Sequence, residues 1–289
     1  MRKIFLIVIS LTIYVLGLSQ NAKTFQTGPF MGIDAGGIFD IELTSDTKES
    51  IQIETSPELM QFVKVYVKNE ILYLNLETSR IPSSMKTNSS NIKAKISMRN
   101  FNYLSLSGAS KLRSKAVFNE KDVKFKVSGA SNAVMPEVTC RNAEISVSGA
   151  SAVTLNGKFE EVILNVDGTS NVKFNGNAES VEVGISGAGR LNLRSQIGKL
   201  EIKSSGVAGV VLEGKADFAE LISSGSSIIQ SPNFKISDAE VKASGAANIK
   251  IQVINTLKVN ASGSSIVKYF GNPKIKSRKV SSAASFNRL

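Results

Sequence analysis

One glycine returns about every 19 residues in the same small-residue setting, at Gly108, Gly129, Gly149, Gly168, Gly187, Gly206, Gly225, Gly245 and Gly263. The spacings are 21, 20, 19, 19, 19, 19, 20 and 18. The setting reads Ser-Gly-Ala-Ser in full at 107–110, 128–131 and 148–151 and in looser forms afterwards. A tenth copy, Ser281-Ser282-Ala283-Ala284, has serine in the glycine position. A period this regular marks a repeat architecture and outranks any single local motif.

Within each period the residues ahead of the glycine alternate, as in Ile145 and Val147, Leu164 and Val166, or Val183 and Ile185. That is the periodicity of a strand with one buried face. A second short strand follows each corner, through Val153 and Leu155 or Val172 and Phe174, and ends at Asn156-Gly157 or Asn175-Gly176. No helical pattern of any length occurs, so the chain reads as all-β. The Asn-Gly pairs also favour tight hairpins, which keeps an antiparallel meander open as an alternative. A coil of ~19 residues at ~3.3 Å each has a perimeter near ~60 Å, room for two or three short strands.

The period favours the coil: a parallel β-helix-like solenoid of ~19–20-residue rungs, with the Ser-Gly-Ala-Ser corners stacked ~4.8 Å apart. The nine glycines are then structural corners, where positive φ or close backbone approach is needed. The alanine beside each glycine is expected to fill a space too narrow for a larger side chain. The flanking serines are expected to hydrogen-bond locally or along the stack.

Three regions follow. Residues 1–19 place Arg2 and Lys3 ahead of the apolar run Ile4 to Leu16, the pattern of a signal peptide. Ser10, Thr12 and Tyr14 interrupt that run, which falls short of the ~20 apolar residues of a membrane span. The mature chain is therefore expected in the periplasm, at the cell surface or secreted, with no transmembrane segment. Residues 20–100 alternate without the corner motif, as in Phe39, Ile41, Leu43 and Val63, Val65, Val67, and are expected to start and cap the solenoid. Within them the polar run 79–91 reads as a loop. Residues 101–289 form the repeat β-helix continuous with this cap, with Phe286 and Leu289 as plugs at the far end.

Composition narrows the function. The chain has no histidine, no tryptophan and a single cysteine, Cys140, so the usual residues of base catalysis and zinc ligation are absent or alone. A lone Cys140 forms no internal disulfide and reads as a small buried hydrophobe. The corner serines are poor nucleophile candidates, because a nucleophile is needed once and beside a base. No catalytic, cofactor-binding or metal residue is assigned, and no ligand-binding residue emerges from the sequence.

Phe39-Asp40-Ile41-Glu42-Leu43, the Val63 to Val67 strand, Asn69-Glu70-Ile71-Leu72-Tyr73-Leu74, and Leu104 to Ser110 with its repeated Ser-Gly-Ala-Ser resemble the head-GIN domain family, called a "putative auto-transporter adhesin". The resemblance covers most of the mature chain and implies an exported bacterial β-helical protein. It carries over no catalytic residue.

The expectation is a non-catalytic adhesion or binding module whose partner is a glycan or a cell-surface protein, with no cofactor and no nucleic acid. Two alternatives stay beside it. A polysaccharide-active enzyme needs paired carboxylates; the repeats offer Asp167, in a corner serine position and read as a turn cap, and Glu160-Glu161 ahead of it. An electrostatic binder of anionic polymer would use Lys111, Arg113 and Lys115, or Lys121, Lys124 and Lys126, or Lys274, Lys276, Arg278 and Lys279. Alternation is expected to place each set on one strand face. Without Arg2 and Lys3 the chain carries 33 basic against 24 acidic residues, a net charge of +9, which favours anionic partners.

Overall fold

The computed structural model describes residues 22–82 and 92–289. The expected signal peptide and most of the polar loop at 79–91 lie outside the described residues. The N-terminal region contains β1 (Ala22–Phe25), β2 (Gly32–Gly37), β3 (Phe39–Ser45), β4 (Ser50–Glu54), the single-turn α1 (Pro57–Met60), β5 (Val63–Lys68), β6 (Ile71–Leu76) and β7 (Ile92–Met98). Four short strands follow: β8 (Tyr103–Gly108), β9 (Lys111–Ser114), β10 (Val117–Asn119) and β11 (Asp122–Val127). Seven long bent strands come next, β12 (Asn132–Val147), β13 (Ala152–Val166), β14 (Asn171–Ile185), β15 (Arg190–Ser204), β16 (Gly209–Ser223), β17 (Ile228–Ala243) and β18 (Asn248–Ala261). The chain closes with β19 (Ile266–Phe270), β20 (Lys274–Val280) and β21 (Ser285–Arg288).

The fold is a parallel β-solenoid, and the pairing of β12 shows that each rung has three sides. Its residues 132–134 pair with β9, residues 137–139 with β10 and residues 142–147 with β11, all parallel. Each bent strand pairs with the next one rung on, mostly 19 residues apart, as in Val153 with Val172 and Leu164 with Val183. The antiparallel meander is ruled out by this register. Asn156 pairs with Asn175 and Gly157 with Gly176 in the same parallel ladder, so the Asn-Gly pairs bend a strand between two sides and close no hairpin.

Alternation along each side sends Val, Leu, Ile and Phe into one continuous core, where about 25 cal/mol per Å² of apolar surface removed from water drives folding. Phe101 lies within 5.5 Å of Phe118 and 5.3 Å of Phe125 between ring centroids, filling the place where the third side begins.

The corner explains the recurring glycine. At Gly149 φ is +74°, and a Cβ would fall 2.5 Å from the carbonyl oxygen of Gly129 one rung earlier. Ala150 N–H donates to that oxygen at 2.8 Å, and Thr169 N–H donates to the Gly149 oxygen at 2.8 Å, so the ladder runs unbroken through the turn. All nine corner glycines have φ between 65° and 75°.

The alanine expectation is corrected. Ala109, Ala130 and Ala150 are exposed, and Val207 at the same position is 68% exposed. The narrow inward space belongs to the fourth residue: Ser110, Ser131, Ser151, Ser170 and Ser227 are buried there, with Ala208 and Ala247 in their place on other rungs. Period-two alternation through the turn turns the third residue outward and the fourth inward. Ser151 and Ser170 donate from Oγ to the carbonyls of Gly129 and Gly149, at 3.4 and 3.3 Å.

The N-terminal strands do not stack in chain order. β2 pairs with β6 on one side and β8 on the other, and β3 lies likewise between β7 and β9. The β2–β3 rung is thus sandwiched between rungs that follow it in sequence, and its bend at Gly37 is a further corner under Gly108, whose neighbour Ala109 donates to the Gly37 carbonyl at 2.7 Å. The only antiparallel pairs among the described residues close this end: β5 with β6, and β4 with β1 and β7. Asn69 and Glu70, with φ of 51° and 59°, make the two-residue turn between β5 and β6, the conformation that matches the twist of a tight hairpin.

At the other end, Phe286 is half-buried and stacks on Tyr269 with centroids 4.9 Å apart. Leu289 is 51% exposed and plugs nothing, because β21 ends at Arg288, at the outer edge of its rung.

Candidate functional site

One outward face of the solenoid runs from β5 through β6, β2 and β8 to β11. On β2 the outward residues are Gly32, Asp34 and Gly36, a floor with one functional side chain. β6 raises Ile71, Tyr73 and Asn75 on one side of it, and β8 raises Tyr103, Ser105 and Ser107 on the other. Tyr66 of the edge strand stacks on Tyr73 with centroids 5.0 Å apart and planes 9° from parallel. A row across the strands therefore reads Tyr66, Tyr73, Asp34, Ser105, Lys126. A Cβ on Gly32 would sit 2.9 Å from Cβ of Tyr103, so the missing side chain lets Tyr103 stand against β2. Three of the four tyrosines among the described residues gather here around one carboxylate.

Burial pushes the Asp34 carboxyl above its ordinary value, against the Ser105 hydroxyl and the Lys126 charge, which favour the anion. Burial, followed by the negative charge of Asp34, raises the Tyr103 phenol, which stays a protonated donor. The strip thus offers apolar ring surface, hydroxyl groups and one carboxylate within four strands, the mixture that recognises a polyol with apolar ring faces.

Farther along the same face Glu182, Glu201, Glu220 and Glu240 stand in register on successive rungs. Lys203 reaches Glu201 at 2.7 Å and Glu182 at 3.2 Å, and Lys242 reaches Glu220 at 2.7 Å and Glu240 at 3.3 Å. The hydrogen bond from Lys203 holds the Glu201 carboxyl below its ordinary value. A glycoside-cleaving pair needs one carboxyl kept protonated, and the lysine beside Glu201 does the reverse. Among the described residues no group of three or more His, Cys, Asp or Glu is placed to hold a metal ion.

The residues singled out from the sequence are scattered. Asp167 accepts a hydrogen bond from Ser186 Oγ on the next corner, and Glu160 pairs with Arg141 at 3.0 Å. Cys140 is buried, its thiol pushed up to about 11 by burial and by the nearby Asp122 and Glu120 carboxylates. Arg113 makes two 2.8 Å bonds to Asp40, and Lys124 pairs with Glu144 at 2.6 Å. The Lys274, Lys276, Arg278 and Lys279 set does not share a face. A register shift at Lys276 puts Arg278 beside buried Val259 and Lys279 beside exposed Asn260. The corner glycines form one edge, which meets the tyrosine strip where Gly37 and Gly108 end β2 and β8.

Sequence reading missed both the strip and the glutamate row. The glutamates recur at 19, 19 and 20 residues and were legible from spacing alone. The strip was not, because Asp34 meets Tyr73 and Tyr103 only through the out-of-order insertion of β2.

Solved structures share this architecture. A "putative adhesin" from Parabacteroides merdae aligns over 93% of this chain and 95% of its own, with 16% identity and a TM-score of 0.52. A "putative adhesin" from Parabacteroides distasonis aligns over 92% and 94%, with 14% identity and a TM-score of 0.50. At these identities the likeness speaks for the fold. No curated protein matches the chain. The model of the family described as "Putative auto-transporter adhesin, head GIN domain" matches residues 29–176 and again 162–273, which together span most of the chain, and the protein belongs to that family.

Proposed function

We propose that the protein is an exported, non-catalytic adhesion module, at the cell surface or in the periplasm, that binds a neutral glycan through the tyrosine strip of β5, β6, β2 and β8. The observation that carries this reading is the gathering of Tyr66, Tyr73 and Tyr103 around Asp34 on a rigid sheet. Rigid strands hold the rings at little entropic cost on binding, and tyrosine supplies large contact area with few rotatable bonds. Family membership and the name shared by its structural relatives support a binding role. The lysine-held glutamates and the spent Asp167 and Glu160 weigh against a polysaccharide-cleaving enzyme.

The test is an array of neutral and anionic glycans probed at two salt concentrations with the chain from Gln20 and with a Tyr66→Ala/Tyr73→Ala variant. The expected result is binding to a neutral glycan that persists at high salt and is lost in the variant while its melting temperature stays close to the parent's. Binding to no glycan, or equal binding by the variant, would overturn the proposal.

A further inference from the structure

The chain's charge is not spread along the rod. Of 35 basic and 24 acidic residues, nine basic and no acidic residue follow Glu240. The net +9 of the chain without its leader is therefore the charge of its last rungs, and the remainder is balanced. Lys242 and Lys258 reach back to Glu220 and Glu240. Among the described residues Lys250, Lys268, Lys274, Lys276, Lys279 and Arg288 have no carboxylate within ion-pair distance. They occupy two sides of the tip rather than one: Lys250 and Lys268 stand in register on the face of β18 and β19, and Lys279 on the face of β20.

The tip itself is apolar at its centre. Among the described residues β20 pairs only with β18, and β21 only with β19. The inward positions of this rung are Ile275, 36% exposed, and the half-buried Val280 and Phe286. Strand addition by another sheet is blocked. Lys276 is an extra residue in the ladder, and Arg278 occupies an inward register position, its guanidinium 5.6 Å from the Phe286 ring centroid. Bulges and inward charges are the usual devices that deny an edge to a second sheet, so a second copy of this chain does not suit the tip.

An apolar centre flanked on two sides by unpaired cations matches an anionic lipid surface, which attracts Lys and Arg within a Debye length and accepts shallow apolar insertion. We infer that the C-terminal tip docks the rod end-on to an anionic bilayer, separately from the tyrosine strip. A soluble polyanion would engage the cations but have no use for Ile275.

The test is flotation of the chain from Gln20 with vesicles of phosphatidylcholine alone or with phosphatidylglycerol added. Inorganic polyphosphate serves as a soluble competitor, and melting curves monitor folding of each variant. The expected result is flotation only with phosphatidylglycerol. It should weaken at least about tenfold in Lys274→Gln/Lys276→Gln/Lys279→Gln and as salt rises, and fall severalfold in Ile275→Ser. A Lys173→Gln control, on a middle rung, should float as the parent does. No flotation with phosphatidylglycerol overturns the inference. So does an Ile275→Ser variant that floats unchanged while polyphosphate competes fully, which would assign the tip to a soluble polyanion.

Discussion

At its N-terminal end the rod closes with antiparallel strands, β5 against β6 and β1 against β4, with acidic and basic residues intermixed and Phe101 fully buried beneath. At its C-terminal end the last parallel rung has, among the described residues, a neighbour on one side only, carries no Asp or Glu, and leaves Phe286 half-buried over Tyr269. The corner hydrogen bonds run from Ala109 on Gly37 to Ala246 on Gly225, between the two ends. The difference shows that a repeat specifies the middle of a solenoid, while each end must solve the unpaired-edge problem with its own residues. One end does so by adding antiparallel strands at its edge, the other with charge, a bulge and an arginine in an inward register position.

The sharpest way to probe the contrast is the same truncation at both ends. Phe101→Ala, in the three-ring cluster, should cost about 3–5 kcal/mol, whereas Phe286→Ala should cost about 1–2 kcal/mol because its ring is only partly buried. Urea denaturation measures both, and equal losses would mean that the terminal rung is packed as tightly as the interior.

Next in size is Tyr103→Phe, which keeps the ring and removes the hydroxyl. Glycan affinity should fall about twofold to tenfold, the worth of one hydrogen bond, with vesicle flotation untouched. Isothermal titration against the glycan found by the array reads this directly.

Asp34→Asn should separate stability from binding. A carboxyl whose folded-state pKa is raised favours the fold most below its ordinary value of 3.8 and costs stability as pH climbs from there through the raised value. The variant should therefore melt slightly higher than the parent at neutral pH, with the difference vanishing below pH 3.8, while its glycan affinity drops. A variant that melts lower at neutral pH would show that Asp34 is held by favourable partners. Smallest of all, Ser282→Gly should change stability by no more than about 0.5 kcal/mol. Ser282 already lacks the positive φ of the other corners, and no further rung presses on it.

The middle of the molecule was legible because its requirements are local. A left-handed backbone at each turn demands glycine, and one-sided burial demands alternation, so both leave periodic marks such as Gly149 and Val153, Leu155. The direction of the corner alanine was misread, because composition says that a small residue is tolerated there but not which way it points. The glutamate row was readable from its period and simply carries no chemistry until Lys203 and Lys242 are placed beside it.

By itself, then, the sequence favoured the parallel coil and determined its rung length, its glycine corners and the lack of histidine chemistry, since each follows from the backbone conformation or side-chain inventory of single residues. Tertiary structure alone decided that β2 lies between β6 and β8, that Asp34 therefore sits among three tyrosines, and that Arg278 turns inward at the tip. Those placements come from strand pairings across tens of residues and from one shift of register. Their energy lies in the fit of distant apolar faces, which leaves no local signature along the chain.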